Sequence, residues 1–399
     1  MGTRGGHVRE RPWPRWYQPP CPPRRWLAAL LTVVFGLLVA ACGSSSPSAA
    51  PGPTGAPSSS ATAASAPPAS VRQAPPLRPG VRVLPRGYHV LSLACPTASF
   101  CMGVGIDDSI PATDGFSVTY RGHAWSKPAI VEPGGSPRSE QINAVSCSSS
   151  SFCMAVDFRG RVLEYAGGHW SAPAVVDPGG DLSSVSCLAP SARTAVDSTD
   201  AVFTYDGTQW SAHPAQSNQS QGLAAVSCSL PSSCKALAEF GSAFVESDGT
   251  WSPPISIAPK DHHVIGPELD SVSCVALSAF CVAVDSGGHA WTWTDGTWSS
   301  AATADPSLAA CVSSAASNSA SSSNSRCGAG SGMWVSCPTT SFCMAADSLG
   351  NTITWERGTW SRPTAVDLAG FSALSCASAS FCAAIDSRGS AVLLGPGSP

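Results

Sequence analysis

Short apolar runs separated by turn residues recur along the chain from about residue 80 to its end. Runs of four to six apolar and β-branched residues alternate with Gly, Asp, Asn and Pro, and no helical period appears past residue 80. The clearest unit places such runs at 333–337, 342–347, 351–356 and 360–367. Each unit therefore predicts four short β-strands.

The units are seven copies of one repeat. A leading cysteine occurs in each copy, most often about 40 residues after the previous one, at Cys95, Cys147, Cys187, Cys228, Cys274, Cys337 and Cys376. Four-stranded units with this period are typical of propeller blades. We therefore predict an all-β fold for residues 80–399, a seven-bladed β-propeller of four-stranded blades.

The two ends of the predicted propeller complement each other. The seventh repeat stops before any Trp-Ser-x-Pro strand, and an extended segment, Gly80–Pro85, precedes the first repeat. We expect this N-terminal strand to fill the gap and close the ring. In that arrangement the Trp-Ser-x-Pro strand is outermost in each blade, and the Val-Ser-Cys strand is innermost.

Charge and motif content exclude several functions. The chain has 399 residues, of which 12% are charged, a net charge of −4, and three lysines, Lys127, Lys235 and Lys260. Binding to a phosphate backbone needs clustered basic residues, so nucleic acid is not an expected partner. The sequence also has no G-x-S-x-G, H-E-x-x-H, phosphate-loop or dinucleotide motif, so no catalytic residue, metal or cofactor is predicted.

Residues 1–79 are predicted to lie outside the propeller. Arginines up to Arg25, an apolar run over 26–40 and then Leu38-Val39-Ala40-Ala41-Cys42 are typical of an export signal over residues 1–41. An uncleaved membrane anchor is the alternative, although the run is shorter than the ~18–20 residues of a spanning helix. The segment resembles the lipobox of bacterial lipoproteins, which implies that Cys42 becomes the first mature residue and carries the lipid. Residues 42–79, rich in Ser, Ala and Pro, predict a disordered tether.

Cysteine spacing predicts disulfides inside the blades. Six repeats carry a second cysteine six or seven residues after the first, which sets two thiols opposite each other across a tight hairpin. The expected pairs are Cys95 with Cys101, Cys147 with Cys153, Cys228 with Cys234, Cys274 with Cys281, Cys337 with Cys343, and Cys376 with Cys382. The alternative for these blade cysteines is that they hold zinc. Cys311 and Cys327 bracket a Ser-rich insert and are also expected to pair. Cys187 remains as a buried thiol, because Arg193 stands where its partner should be.

One tryptophan recurs in most repeats. These residues are Trp125, Trp170, Trp210, Trp251, Trp298 and Trp360. Their regularity favours a role in packing between blades, with carbohydrate stacking as the alternative.

Charged residues near the turns are candidates for a ligand site on one face. An aspartate follows the second-cysteine position by four residues at Asp157, Asp197, Asp285, Asp347 and Asp386, and its alternative role is to cap the turn. Blades one and four depart from this pattern and carry their acids at Asp107 and Glu239. The arginines Arg159, Arg161 and Arg388 would hold an anionic group. The adjacent His262 and His263 are weak candidates for ligand binding, since an Asp-His-His run can ligate a metal, and solvated histidines are the alternative.

The repeat resembles uncharacterised actinobacterial lipoproteins with Cys-x5-Cys β-propeller repeats, across nearly all of residues 81–399. The resemblance implies the fold and a lipid-anchored position on the extracytoplasmic face of the cell membrane, and implies no activity. We expect a monomeric, non-catalytic binding platform for a protein or a cell-wall glycan. The alternative is a propeller glycoside hydrolase or polysaccharide lyase acting on an extracellular polysaccharide, with carboxylates contributed by different blades.

Overall fold

The computed structural model describes residues 80–109, 113–133, 140–214, 222–258, 268–317 and 331–395. These residues form seven antiparallel sheets, each with four strand positions from the centre to the rim. The innermost strands of successive blades contact one another, and that of blade 7 contacts that of blade 1. The predicted seven-bladed β-propeller is therefore confirmed. The export signal, Cys42 and the tether lie outside the described residues.

The strands are numbered in chain order. The innermost strands of blades 1 to 7 are β2 (Tyr88–Thr97), β6 (Ile142–Ser149), β11 (Leu182–Ala189), β15 (Leu223–Leu230), β20 (Leu269–Cys274), β25 (Met333–Thr339) and β30 (Phe371–Ser378). The second strands are β3 (Phe100–Asp107), β7 (Phe152–Asp157), β12 (Ala192–Asp197), β16 (Ser233–Ala238), β21 (Cys281–Asp285), β26 (Phe342–Asp347) and β31 (Phe381–Asp386). The third strands are β4 (Asp114–Arg121), β8 (Arg161–Ala166), β13 (Ala201–Tyr205), β17 (Ser242–Ser247), β22 (His289–Thr294), β27 (Asn351–Glu356) and β32 (Ser390–Leu394).

The outermost position is filled in three ways. Blades 2, 4, 5 and 6 use two short strands each, β9 (His169–Trp170) with β10 (Ala174–Val175), β18 (Thr250–Trp251) with β19 (Ile255–Ser256), β23 (Thr297–Trp298) with β24 (Ala302–Thr303), and β28 (Thr359–Trp360) with β29 (Thr364–Ala365). Blades 1 and 3 use β5 (Ala129–Glu132) and β14 (Trp210–Pro214). Blade 7 uses β1 (Val81–Arg82), which pairs Val81 with Ala391 and Arg82 with Ser390. The predicted closure of the ring by the N-terminal strand is confirmed.

The Trp-Ser-x-Pro motif explains why most outer strands are broken. The serine Oγ accepts the N–H of the third strand and donates to the carbonyl of the next residue, as Ser171 does with Glu164 at 3.0 Å and Ala172 at 2.9 Å. In blades 2, 4 and 6 the proline that follows has no N–H to continue the ladder, whereas blade 5 carries Ala301 there and shares only the serine bond. In blade 3 the proline comes one residue later, at Pro214, and β14 is continuous. The single outer strand expected from the sequence is therefore two short segments in most blades.

A ring of serines joins the innermost strands around the axis. The Oγ of Ser146, Ser186, Ser227, Ser273, Ser336 and Ser375 each accepts the N–H of the leading cysteine in the next blade, at 2.9–3.0 Å. Blade 1 carries Ala94 at this position. Its junction to blade 2 instead uses Ser92, whose Oγ accepts the N–H of Val145 at 3.1 Å. Every blade therefore contributes at least one polar contact to its neighbour near the axis.

The hydrophobic cores lie between adjacent blades. Each cluster combines residues of two neighbouring sheets, as where Phe280 of blade 5 packs on Trp355 of blade 6 with ring centroids 4.9 Å apart. The recurrent tryptophans belong to the same layers, and Trp170 also donates its indole N–H to Ser117 of blade 1 at 3.1 Å. Packing between blades is confirmed as their role.

The six predicted disulfides inside blades are all present. They join Cys95 to Cys101, Cys147 to Cys153, Cys228 to Cys234, Cys274 to Cys281, Cys337 to Cys343, and Cys376 to Cys382. In each pair the second cysteine is buried and faces the first across the hairpin, with Cα atoms 4.1 Å apart for Cys101 and 3.9 Å apart for Cys382. Disulfides, and not zinc ligation, therefore account for the paired cysteines of the blades.

The remaining cysteines have separate outcomes. Cys187 is a free, buried thiol, as predicted. Cys311 is disulfide-bonded, and its predicted partner Cys327 lies outside the described residues. The pairing of Cys311 with Cys327 therefore stays a prediction.

One helix interrupts the strand pattern. Helix α1 (Pro306–Ser317) lies in the Ser-rich insert, where the sequence pattern predicted no helix. The Asp305 carboxylate caps its start by accepting the N–H groups of Ser307 at 2.9 Å and Leu308 at 3.1 Å. Within the described ranges, no helix has the length and apolar character needed to cross a membrane.

Candidate functional site

Each of the five turn aspartates caps its own turn. The carboxylate of Asp157 accepts the backbone N–H of Arg159 at 2.9 Å and of Arg161 at 2.7 Å. Equivalent bonds form at Asp197, Asp285, Asp347 and Asp386. All five are buried, with at most 4% of the residue exposed. The capping role is thus present, and a ligand role for these carboxylates stays a prediction.

Two of the predicted anion-binding arginines are engaged by carboxylates at the junction of blades 1 and 2. Arg161 contacts Glu132 at 2.9 Å, Glu140 at 2.5 Å and Asp157 at 2.5 Å, while Arg159 contacts Glu140 at 2.7 Å. The contact between Arg161 and Glu132 is close but lacks hydrogen-bond alignment, because neither oxygen of Glu132 has a hydrogen-bond partner among the described residues. Burial, with the nearby charge of Asp157, raises the pKa of Glu132 to about 8. A proton on Glu132 lets three carboxyl groups balance two guanidinium groups.

A second carboxyl pair lies between blades 5 and 6. The Asp347 side chain meets that of Asp305, which follows the outer strand of blade 5. Burial, together with this carboxyl neighbour, raises the pKa of Asp347 to about 7. Both residues are fully buried. This carboxyl pair therefore lies at the contact between the two blades and is not presented to solvent.

The acids that break the pattern in blades 1 and 4 have different surroundings. Asp107 is buried and accepts the N–H and hydroxyl of Ser109 at 3.0 and 2.5 Å. A hydrogen bond from Tyr88 to Asp107 raises the pKa of the tyrosine to about 12. Glu239 is half-buried, and burial with the charges of Glu268 and Asp181 raises its pKa. Glu239 is the more accessible of the two.

The remaining predicted residues are separated from this group. The Arg388 side chain is exposed at the blade 7 turn, where its backbone N–H bonds Asp386 at 2.9 Å. His262 and His263 lie outside the described residues. In the ranges that the structure describes, no group of three or more His, Cys, Asp or Glu residues is arranged to hold a metal. The structure therefore does not gather the predicted candidates into one site.

The central channel is narrow and polar. Its cavity, of about 300 Å³, is lined by the innermost strands of all seven blades, including the serines of the ring. Those serine hydroxyls are already hydrogen-bonded to the next blade. The channel is therefore lined by hydroxyl groups whose oxygens already accept a hydrogen bond.

A larger groove lies where the ring closes, between blades 7 and 1, and is called the closure groove below. It encloses about 1020 Å³ between Gly80–Pro85, the edge Ala391–Leu393 of β32, and blade 1 residues Tyr120 and His123–Pro128. In the other blades a Trp-Ser segment runs beside the end of the third strand, as Trp170 pairs with Tyr165 in blade 2. Within the described chain, β1 is the sole strand at the outer edge of β32, and it pairs only with Ser390 and Ala391. Among the described residues, the groove therefore takes the place that a Trp-Ser segment occupies in the other blades.

The walls of the closure groove combine apolar surface with positive charge. Trp125 and Tyr120 stack at 5.4 Å on the blade 1 side, and Val81 is 73% exposed on the other. Arg82, His123 and Lys127 line the groove, whereas its lining contains no Asp or Glu. The N–H of Leu393 occupies the place at which Glu164 of blade 2 bonds the serine of the motif. The arrangement suits an extended peptide that carries an apolar side chain and negative charge.

Of the comparisons with known proteins, only the one with solved structures finds a match, and it shows the fold. No protein family model matches the chain, and no curated protein matches it. Among solved structures, the one described as "YCF48 bound to D1 peptide" is similar, with a TM-score of 0.56 and 14% sequence identity, over 81% of this chain and 96% of that one. At this identity the similarity shows the β-propeller class alone.

The sequence contained a signal for the closure groove and for one half of each carboxyl pair, because an acid ends the outer segment of four blades, at Glu132, Asp177, Asp305 and Asp367. The seventh repeat lacks a Trp-Ser-x-Pro strand in the sequence, and the sequence alone predicts that Gly80–Pro85 fills the whole of its place. Glu140 has no acidic counterpart in the other repeats, so its contact with Arg161 appears only in three dimensions.

Proposed function

We propose that this protein is a non-catalytic binding platform that captures an extended, acidic segment of a partner protein in the closure groove. The main observation behind this proposal is the open edge of β32. This strand pairs with β1 at only two residues, beside a groove of about 1020 Å³. Strand addition supplies affinity through main-chain hydrogen bonds and specificity through side-chain pockets. The other blades show what suits this place, because each fills it with a Trp-Ser segment from its own chain.

Two further points support this proposal. The lining is basic, through Arg82, His123 and Lys127, so an acidic segment is favoured electrostatically. The similar propeller is described as bound to a D1 peptide, which is a protein segment. A cell-wall glycan, the other ligand expected from the sequence, is a competing outcome of the test below.

The same proposal places the platform at the cell surface. The export signal over residues 1–41, the lipobox cysteine Cys42 and the tether over 42–79 would present the propeller on the extracytoplasmic face of the membrane. Metabolic labelling with a fatty-acid analogue tests this step. Label on the wild type and its loss in Cys42→Ser, with release of the variant from membranes, are the expected results.

The binding test uses a peptide that copies an outer strand. A labelled peptide with the sequence of residues 295–300, Asp-Gly-Thr-Trp-Ser-Ser, carries both the tryptophan and a negative charge. Fluorescence anisotropy should show saturable binding that weakens at least five-fold with Lys127→Glu. Arg362→Glu, at the same motif position in blade 6 and away from the groove, is the matched control and should leave the affinity unchanged.

A second variant separates strand addition from charge attraction. Leu393→Pro removes the outward N–H of β32 and should abolish binding even at low salt. Equal binding by wild type and Leu393→Pro would contradict strand addition. If peptidoglycan or arabinogalactan fragments bind and the peptide does not, the ligand is a glycan and not a protein segment. Release of reducing ends from those fragments would establish the hydrolase alternative.

A further inference from the structure

The contact between blades 3 and 4 departs from the repeat at two places that face each other. In five blades a phenylalanine directly precedes the second cysteine, at the start of the second strand. These residues are Phe100, Phe152, Phe280, Phe342 and Phe381. The phenylalanine ring packs toward the third strand of the following blade, as Phe100 does on Tyr165 at 6.3 Å. Blade 3 carries Ala192 instead. The ring that would fill the space beside blade 4 is therefore missing.

The facing position in blade 4 is also changed. Directly opposite the second cysteine, the third strand of most blades places an aromatic residue, such as Tyr165 opposite Cys153 and Trp355 opposite Cys343. The register of β16 and β17 puts Glu246 there in blade 4. With Ala192 on one wall and a carboxylate on the other, a cavity of about 470 Å³ remains between the two blades. It is called the 3/4 cavity below.

Glu246 is a buried carboxylate with an unused oxygen. The residue is 4% exposed, lines the 3/4 cavity, and its Oε2 has no hydrogen-bond partner among the described residues. Lys235 lies on the other face of blade 4, where its Nζ sits 4.8 Å from the Trp293 ring centroid and donates to the Cys234 carbonyl at 3.4 Å. The Lys235 charge still acts on Glu246 through the sheet, but it donates no hydrogen bond to Oε2. A buried carboxylate oxygen without a hydrogen-bond donor is costly, so the cavity is suited to a ligand that supplies one.

The other cavity walls favour a positively charged ligand. Trp251 and Tyr205 contribute aromatic surface, and Thr194 and Thr204 contribute hydroxyl groups. Asp206 adds an exposed carboxylate among the lining residues, and hydrogen bonds from Thr208 lower its pKa to about 2, so it is ionised at neutral pH. An aromatic wall beside a carboxylate is a favourable environment for an ammonium ion.

The two basic residues of the lining are already engaged. The Arg193 guanidinium lies between the rings of Phe152 and Tyr205, at 4.9 and 4.4 Å, and pairs with Glu164 at 2.5 Å. His213 shares a hydrogen bond of 2.9 Å with Thr204. Neither residue contacts the free oxygen of Glu246, so neither supplies the missing partner.

We propose that the 3/4 cavity binds an organic ammonium ion on a short aliphatic stem, with Oε2 of Glu246 as the acceptor of its N–H group. The stem packs between Leu188 and the Trp251 ring, both of which line the cavity. Either a free alkylamine or a lysine side chain of a partner protein has this chemistry. The site lies between blades 3 and 4 and is independent of the closure groove, so either proposal can fail without the other.

Titration calorimetry of the protein at pH 8 tests the proposal with two probes, n-butylamine and N-acetyl-lysine methylamide. We expect saturable binding of at least one probe and no binding of 1-butanol, which has the same stem without the charge. Glu246→Gln keeps the shape and should weaken binding at least ten-fold. Glu356→Gln removes an exposed carboxylate of blade 6 and is the matched control. Tighter binding of the butylamine identifies a free amine, and tighter binding of the blocked lysine identifies a side chain.

A second variant tests the cavity separately from the charge. Ala192→Phe restores the repeated ring, should fill the cavity, and should abolish binding while Glu246 remains. Both variants are expected to unfold cooperatively. Ala192→Phe should unfold at or above the wild-type temperature because it fills a cavity, and Glu246→Gln near that temperature, because it removes a buried ionisable group but also the negative charge that acts on buried Lys235. Failure of both probes to bind, affinity within two-fold of wild type in Glu246→Gln, or equal affinity for 1-butanol would overturn the proposal.

Discussion

Cys187 lies directly opposite Arg193 on strands β11 and β12, in the register that joins Cys228 to Cys234 in the next blade. Blade 3 has exchanged a disulfide for a stacked cation. The Arg193 guanidinium packs between the Phe152 and Tyr205 rings and pairs with Glu164. Because Phe152 belongs to blade 2, the arginine ties two blades together, whereas a disulfide would tie only two strands.

Restoring the cysteine should restore the bridge. Arg193→Cys places a second thiol opposite Cys187, in the register in which six pairs already form, and peptide mass mapping of the oxidised variant should show positions 187 and 193 linked. A bridge across so short a loop adds about 2 kcal/mol, while the lost cation stacking costs a similar amount, so the melting temperature should change little. Arg193→Ala, the control, loses the stacking without gaining a bridge and should be less stable by about 2 kcal/mol. Two free thiols in oxidised Arg193→Cys would contradict the inferred register.

Cys187 itself should be unreactive in the native protein. Burial raises the pKa of its thiol, and the thiolate is the reactive form. Alkylation by iodoacetamide at pH 8 should therefore proceed at least a hundred-fold more slowly in native protein than in guanidinium. Rapid native labelling would contradict the buried position of this residue.

The serine ring should contribute measurably to stability. Ser273→Ala leaves the N–H of Cys337 without its acceptor and is expected to cost about 1–2 kcal/mol in urea unfolding. Ala94→Ser supplies the one missing hydroxyl of the ring, beside Cys147, and should be neutral or stabilising by up to about 1 kcal/mol. Ser341→Ala, at an exposed hairpin, serves as the control and should change stability by less than about 0.5 kcal/mol. Equal effects of Ser273→Ala and Ser341→Ala would mean that the ring contributes nothing.

The repeated positions could be predicted from the sequence because each serves the same neighbour contacts in every blade. The strands, the cysteine pairs and the closing strand all follow from regular spacings in the sequence, from the alternation of residues in a strand to the repeat of about 40 residues. The structure confirms the strand order and the closure by Gly80–Pro85. The 3/4 cavity could not be found this way. Glu246 and Ala192 matter because they face each other across two blades, and a sequence gives the departure of each residue from the repeat without the register that brings them together.

The charged group around Glu132, at the junction of blades 1 and 2, should make the protein less stable as pH rises. Carboxylates that are stabilised by folding usually have the opposite effect. The pKa of Glu132 is about 8 in the folded protein and about 4.5 when unfolded, so the folded state holds the proton more tightly. Its stabilising contribution is fully present below pH 4.5 and is lost as pH rises through about 8. Asp347, with a pKa of about 7, acts in the same direction over a lower window.

Urea unfolding at pH 5.5 and pH 8.5 measures this effect. Wild type should lose at least about 1 kcal/mol over that interval, and Glu132→Gln, which cannot ionise, should lose less. The charged groups that face Glu132 are Asp157, Glu140 and Arg161, and all three remain in the variant. The same pH dependence in wild type and Glu132→Gln would show that Glu132 is ionised in the folded protein.

Two glycines with nearly the same backbone angle offer a test of how closely the outer loops pack. Gly350 has φ of +93° and Gly358 has φ of +94°, so alanine is strained equally at both. A Cβ at position 350 would lie 1.5 Å from the carbonyl oxygen of Asp367, whereas a Cβ at position 358 meets nothing within 4 Å. The Gly350 carbonyl also holds the turn, because it accepts the N–H groups of Val366 and Asp367 at 2.9 and 3.0 Å.

Gly358→Ala should therefore cost about 1 kcal/mol of stability, from backbone strain alone. Gly350→Ala should cost at least about 3 kcal/mol, because the loop after β29 must also move away from blade 6. Thermal unfolding of the two variants side by side measures the difference, and similar melting temperatures would show that the Asp367 loop does not pack on the turn.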